Sequence, residues 1–317
     1  VPHSGYYTKA ELREIVAYAA SRQIEVIPEI DMPGHMVALL AAYPELLCEG
    51  VEEKPEVRTG WGISKNILCA GNDAVYTMLE DILLEIIAIF PCRYLHIGGD
   101  EAPKNHWQKC PRCQDKIQKE GLKNEEELQA YFFNHFQAFL KEHNRQAIGW
   151  NDCLNEKLHP TLIQHWKPYT DKKTVKAINS GQRAIISNFF YYYLDYPYAM
   201  TPLKKTYCFE PLLKGIKNPE NVIGIEAPLW AEWVKNRKKI DFQVFPRLAA
   251  VAESAWTEAK NKDYEDFCLR LQSLYRHYDD MGIDYARKKE KKLGIIKRLR
   301  GFRAWLKNEN SELNNNR

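Results

Sequence analysis

The chain has 317 residues, 45% hydrophobic and 27% charged, an ordinary globular composition with length for a large core in one or two domains. Its net charge of +3 names no partner, and the distribution of charge excludes a nucleic-acid-binding profile. Residues 287–307 hold ten Lys/Arg against one acidic residue, a net of +9, so the rest of the chain carries −6.

The first predicted element is a helix in "KAELREIVAYAASRQ", where Leu12, Ile15, Val16 and Ala19 recur at three and four. Thr8 stands before it as an N-cap with Glu11 three residues on, the pattern of a capping box. A short β-rich run, "IEVIPEIDMPGH", follows and stops at Pro-Gly. The alternation then repeats: a helix in "VYTMLEDILLEIIAIF", a strand in "YLHIGGDE", a helix in "EEELQAYFFNHFQAFLKEHNR", a strand in "QAIGWND". Three further strand-like runs are "TLIQHW", "RAIISNFFYYYLD" and "NVIGIEAPLW", and two helices, "FPRLAAVAESAW" and "YEDFCLRLQSLYRHYDDMG", close the body. Helices alternating with buried strands give parallel β/α units. No phosphate-binding glycine pattern follows any strand, which argues against a nucleotide-binding doubly wound sheet. The runs number six rather than the eight of a closed (β/α)8 barrel.

Polar and aromatic residues collect where the runs end: Asp31 and His35, Asp100 and Glu101, Trp150, Trp166, Tyr193 and Asp195, Trp230 and Glu232. In (β/α) barrels the active site is assembled at that end. Adjacent carboxylates cannot readily flank a glycosidic bond from opposite sides. Asp100-Glu101 better suits one acid protonating the leaving oxygen while the other orients a group on the substrate itself. Closely spaced like charges also keep one carboxyl protonated nearer neutral pH. The alternative is a surface turn with solvated acids. Tryptophans at strand ends supply flat walls for a sugar ring, although any one of them could equally serve the core.

Cys110 and Cys113 form a lone CxxC, and no second pair stands at zinc-ribbon spacing, so a structural or disulfide role is expected there and no metal. His35 and His96 lack a third ligand at suitable spacing, and His96 reads as a strand residue bonded within the fold. No apolar stretch reaches the ~18 residues of a membrane span, and no leader pattern is visible after Val1.

Six segments in order and spacing, "IPEIDMPGH" (27–35), "HIGGDE" (96–101), "IGWND" (148–152), "YYLDY" (192–196), "APLWAEW" (227–233) and "FPRLAAVAESAW" (245–256), resemble the β-N-acetylhexosaminidases of glycoside hydrolase family 20. The resemblance covers about residues 5–285 and implies a TIM-barrel catalytic domain. It implies an exo-acting glycosidase that removes terminal β-linked N-acetylglucosamine or N-acetylgalactosamine by substrate-assisted, retaining catalysis without a cofactor. By it, Glu101 is the general acid and then the general base, Asp100 holds the 2-acetamido nitrogen, and Tyr193 bonds the acetamido oxygen. Trp150, Trp166 and Trp230 wall the sugar, Asp195 and Glu232 bind its hydroxyls, and His35 and Asp31 support the acid pair. It also implies an oligosaccharide or glycoconjugate substrate and an exported enzyme, periplasmic, secreted or lysosomal.

Two β/α units of the family pattern, with a sugar-binding arginine and a His-x-His segment, have no counterpart before "GYYTKAELREIV". The expectation is therefore a partial barrel over 1–285 with little activity alone. Asp152 stands where the family often has Glu. Residues 286–317 read as a basic tail, helical then disordered. Its stripe of Ile295, Leu299, Phe302 and Leu306 suits either a solvated helix or one lying on an anionic membrane. A non-catalytic carbohydrate-binding relative is the competing reading, and the intact acid pair counts against it.

Overall fold

The Thr8–Glu11 box forms in full in the computed structural model of the chain, which describes residues 5–60 and 62–287. The Thr8 hydroxyl accepts from the Glu11 amide at 3.2 Å, and the Thr8 amide donates to Glu11 Oε2 at 2.7 Å. These bonds to Thr8 hold the Glu11 carboxyl below its usual range. The chain divides into two compact units, Val1–Arg58 with Gly62–Ile163, and Thr59–Trp61 with Gln164–Arg317.

In the first unit α1 (Lys9–Ala20), α2 (Val37–Ala42) and α3 (Asp73–Ile89) precede β1 (Tyr94–His96), and α4 (Pro111–Lys119) and α5 (Glu125–Glu142) precede β2 (Gln146–Trp150). The long helices start on asparagine caps: Asn72 accepts from the Ala74 amide at 3.1 Å and Asn124 from the Glu127 amide at 3.0 Å. Strands β1 and β2 pair in parallel, Tyr94 opposite Gln146 and His96 opposite Ile148. Leu79 and Leu83 of α3, Leu95 of β1, Phe132, Phe136 and Leu140 of α5 and Ala147 of β2 are wholly buried in one cluster. Each large side chain so buried contributes about 1.5–3 kcal/mol. Helix α5 packs against β2 because residue 149 has no side chain: a Cβ there would lie 2.7 Å from Phe133 Cζ and 2.9 Å from Pro160 Cγ.

The first expected strand, in residues 24–31, is reduced to one parallel bridge between Glu29 and His96. The backbone runs beside β1, with the Ile30 amide on His96 O at 2.9 Å and the His96 amide on Pro28 O at 3.0 Å. Pro28, having no N–H, cannot donate to a longer ladder.

Strand β3 (Leu162–His165) lies at the boundary of the units. The second unit holds α6 (Asp171–Asn179), β4 (Arg183–Ile186), α7 (Leu203–Cys208), β5 (Val222–Ile225), α8 (Arg237–Val244), α9 (Arg247–Trp256) and α10 (Tyr264–Asp280). Strands β4 and β5 are parallel, with a register shift between Ala184 and Ile185. The run expected as a strand to residue 195 stops at Ile186. Asn188 turns the chain there: its side-chain oxygen accepts from the Phe190 amide at 3.1 Å, and its carbonyl accepts from the Tyr191 and Tyr192 amides. Leu203 and Tyr207 of α7, Ala250 of α9, and Phe267 and Leu271 of α10 make a separate core. No helix of the described residues is long and apolar enough to cross a membrane. The helical stripe expected at Ile295–Leu306, and all of the basic tail from residue 288, lie outside the described residues.

Candidate active site

Strand β1 delivers the acid pair through two glycines in the left-handed region, Gly98 at φ 68° and Gly99 at φ 98°. A Cβ on Gly98 would fall 1.6 Å from Asp31 Oδ1, so no other residue type fits there. The clearance lets the Gly99 amide donate to Asp31 Oδ1 at 3.2 Å. Immediately beyond, Glu101 has φ 43°, and opposite it His35 has φ 56°. Each is a non-glycine residue in a sparsely populated conformation, a strain of about 1–3 kcal/mol that the surrounding structure must offset.

His35 faces three carboxylates: its Nε2 lies 3.6 Å from Asp100 Oδ2, 3.7 Å from Glu101 Oε2 and 3.9 Å from Asp31 Oδ2. Asp100 foremost raises the His35 pKa, against burial, with Glu101 and Glu29 adding to the effect. Asp31 is pushed well above the usual carboxylate range, chiefly by burial, then by the Asp100 charge and a side-chain hydrogen bond with Asp100. Asp31 is thus disposed toward its protonated form, beside an imidazole disposed to be cationic. Asp31, His35 and Asp100 present ligand atoms within 4.8 Å of one another and could chelate a cation, but the raised pKa of Asp31 and the Gly99 amide on its Oδ1 better suit a hydrogen-bonding role. Asp100 Oδ1 is buried and has no hydrogen-bond partner among the described residues. A buried acceptor left open in this way costs about 1–3 kcal/mol until a donor reaches it.

Behind the acid pair stands Glu29, which sequence reasoning passed over. Its Oε1 accepts the Trp150 indole N–H at 2.9 Å and lies 3.1 Å from His96 Nδ1. The Trp150 ring, 2% exposed, sits 4.7 Å from the His96 ring. The signal was present: Glu29 is two residues before Asp31, and alternation puts both on one face of an extended run. Gln129 of α5 is a second such residue, its amide donating to Gly99 O at 2.7 Å.

In the second unit the Trp166 and Tyr193 rings stack with centroids 6.3 Å apart. Tyr193 is buried and Trp230 is 39% exposed. Asp195 is buried, with Oδ1 unpartnered among the described residues. Burial raises its pKa to about 7, opposed by its own amide, by the Arg247 charge and by the Trp230 amide, while Glu232 pushes it further up. Arg247, also missed, is wholly buried and holds the turn behind Asp195, donating to Tyr196 O at 2.8 Å and Thr201 O at 3.2 Å. Glu232 lies exposed in the short turn Ala231–Trp233.

The structure thus brings Asp31, His35, Asp100 and Glu101 together in one unit, with Trp150 behind Glu29. In the other it brings Trp166 together with Tyr193, and Asp195 within electrostatic reach of Glu232. Four buried cysteines, Cys48, Cys69, Cys110 and Cys113, form a further donor set in the first unit. They correct the reading of Cys110 and Cys113 as a pair without a second one.

Residues 1–259 match the family model of the glycosyl hydrolase family 20 catalytic domain. A beta-hexosaminidase of Porphyromonas gingivalis is 39% identical over 298 residues, covering 89% of this chain and 38% of the relative. A crystal structure of a beta-N-acetylhexosaminidase superposes with a TM-score of 0.82 at 34% identity, over 88% of this chain and 62% of the other. The GH20 exo beta-N-acetylglucosaminidase of Vibrio harveyi in complex with N-acetylglucosamine gives 0.79 at 30% identity, over 90% and 47%. The chain therefore spans between about two fifths and three fifths of the length of these relatives.

Proposed function

Because this chain belongs to glycosyl hydrolase family 20, with the α/β barrel architecture of its catalytic domains, we propose that its site serves an exo-acting β-N-acetylhexosaminidase. The substrate is a terminal β-linked N-acetylglucosamine or N-acetylgalactosamine of an oligosaccharide or glycoconjugate. The observation that carries this reading is the open acceptor on Asp100 beside a strained Glu101. A buried carboxylate oxygen lacking a donor suits a donor on the substrate, such as the N–H of a 2-acetamido group.

In the first step the acetamido oxygen bonds to the anomeric carbon as the bond to the leaving oxygen breaks, and Glu101 gives that oxygen its proton. Asp100 holds the acetamido N–H and stabilises the positive charge that spreads over the resulting oxazolinium. In the second step water attacks the same carbon, Glu101 takes the water's proton, and the ring opens with retained configuration. Asp31 and His35 fix Asp100: each makes a side-chain hydrogen bond with it, and Oδ1 is left as its open acceptor. Tyr193 takes the acetamido oxygen, Trp166 and Trp230 the sugar's apolar faces, and Asp195 and Glu232 its hydroxyls, in the roles that the family motifs carry, whereas Trp150, buried and bonded to Glu29, backs the acid pair instead of walling the sugar.

The test uses a thiazoline that mimics the oxazolinium, with the full natural polypeptide. Competitive inhibition is expected, and replacing Asp100 with Asn should weaken it by at least tenfold. An enzyme insensitive to the thiazoline but labelled covalently on a carboxylate would instead be an ordinary two-carboxylate glycosidase. Sugar binding with no turnover would make the protein a binding relative.

A further inference from the structure

The cysteine cluster lies apart from the acid pair and has no part in the proposed reaction. Cys48 follows α2, Cys69 precedes α3, and Cys110 and Cys113 open α4, so the four come from three separate segments. Their Sγ atoms lie 3.6 Å apart for Cys69–Cys113, 3.7 Å for Cys69–Cys110 and 3.9 Å for Cys48–Cys113. All four fall within 4.8 Å of one another. Four thiolates about 2.3 Å from a tetrahedral zinc ion would stand about 3.8 Å apart along each edge. Two disulfides would instead give two contacts near 2.05 Å and no reason for a sulfur to be equidistant from two others. Cys69 and Cys113 are each flanked by two sulfurs at almost one distance, which is the pattern of a polyhedron rather than of pairs.

The surroundings are built to hold that polyhedron. The four side chains are 0–4% exposed. The Gly71 amide hydrogen-bonds the Cys69 sulfur, the kind of contact that orients a thiolate ligand. Residue 71 must be glycine, because a Cβ there would lie 2.3 Å from Arg112 C and 2.4 Å from Cys113 N. The loops are tied around the cluster: the Cys69 amide donates to Leu46 O at 3.1 Å, Trp107 Nε1 to Leu68 O at 2.9 Å, and the Asn72 side chain to Glu45 O at 3.0 Å. Two of the ligands sit at the start of α4, where the helix end favours negative charge.

We propose that Cys48, Cys69, Cys110 and Cys113 bind one structural zinc ion as a closed tetrathiolate. The four thiols lose their protons to solvent on binding, with no change of oxidation state. The ion joins the far ends of two segments, one starting at His35 and ending at Cys69, the other starting at Asp100 and ending at Cys110. It therefore anchors both loops that carry the proposed catalytic groups without touching substrate.

The experiment uses the full 317-residue chain, purified without added metal. Elemental analysis should give one zinc per chain, and a mercurial reagent should release it. Replacing zinc with Co2+ should produce the intense near-ultraviolet charge-transfer and red d–d bands of a tetrahedral cobalt thiolate. C110S and C113S should lose the ion and the bands, while C92S and C268S keep both. Where the serine variants fail to fold, the stoichiometry and cobalt spectrum of the unaltered chain decide. Two disulfides or four freely alkylated thiols in metal-free, folded protein would overturn the proposal, and so would bound iron in place of zinc.

Discussion

At the residue scale, function rests on carboxyl groups whose environments differ. In the proposed mechanism Glu101 carries the proton, so Glu101→Gln should lower kcat by about 10²–10⁴ for substrates with poor leaving groups. Thiazoline binding should survive, and unchanged kcat on such substrates would remove Glu101 from that role. Asp195 offers a test that needs no substrate. Folded, it keeps its proton up to about pH 7, against an ordinary value of 3.8. Between those values the folded chain binds more protons than the unfolded one, so this group's contribution to stability falls as pH rises, by at most about 1.4 kcal/mol per unit. Asp195→Asn should therefore gain stability relative to the unaltered chain from about pH 4 to 7, read as denaturant midpoints. A pH-independent difference would show that Asp195 ionises normally. The acid pair was legible because Asp100 and Glu101 are neighbours at a strand end. Glu29 was harder to read, since its partners Trp150 and His96 come from other strands and no spacing in the chain announces them.

At the scale of elements, helices with a long apolar stripe were legible, and those with a short one were not. The α1, α3, α5, α9 and α10 helices stand where the sequence reading puts its helical runs. The six-residue α2 and α7 are too short to show a period and are held by their neighbours. Strand ends misled for a local reason: Asn188 offers the backbone a side-chain partner, and the aromatic run 189–193 turns instead of extending. The Gly98–Gly99 turn is the element on which the site depends most. Gly98→Ala places a Cβ on the Asp31 carboxylate and forces alanine to φ 68°. The expected loss exceeds about 1 kcal/mol, visible as a lower thermal midpoint together with the loss of thiazoline binding. A variant with an unaltered midpoint and inhibitor affinity would mean that the turn relaxes freely.

For the whole molecule, the family was legible from six short segments, whereas the cysteine cluster was not. Intervals of 20 and 40 residues separate the ligand positions 48, 69 and 110, and only the fold closes them. The first unit also leaves apolar surface uncovered: Tyr18 is 62% exposed and Ile24 58%, and α1 buries only Ala19. The cysteine cluster changes what a break in the chain means. Residues 52–60 are largely exposed and open to a protease, yet the chain on either side is bound to the same ion, through Cys48 and Cys69. With the ion in place this stretch is an arc of a closed ring rather than a linear tether, so one cut should leave both pieces in a single particle. Size exclusion of nicked protein should give one peak that splits once a mercurial removes the zinc, and separation before that treatment would mean that no ring is closed there.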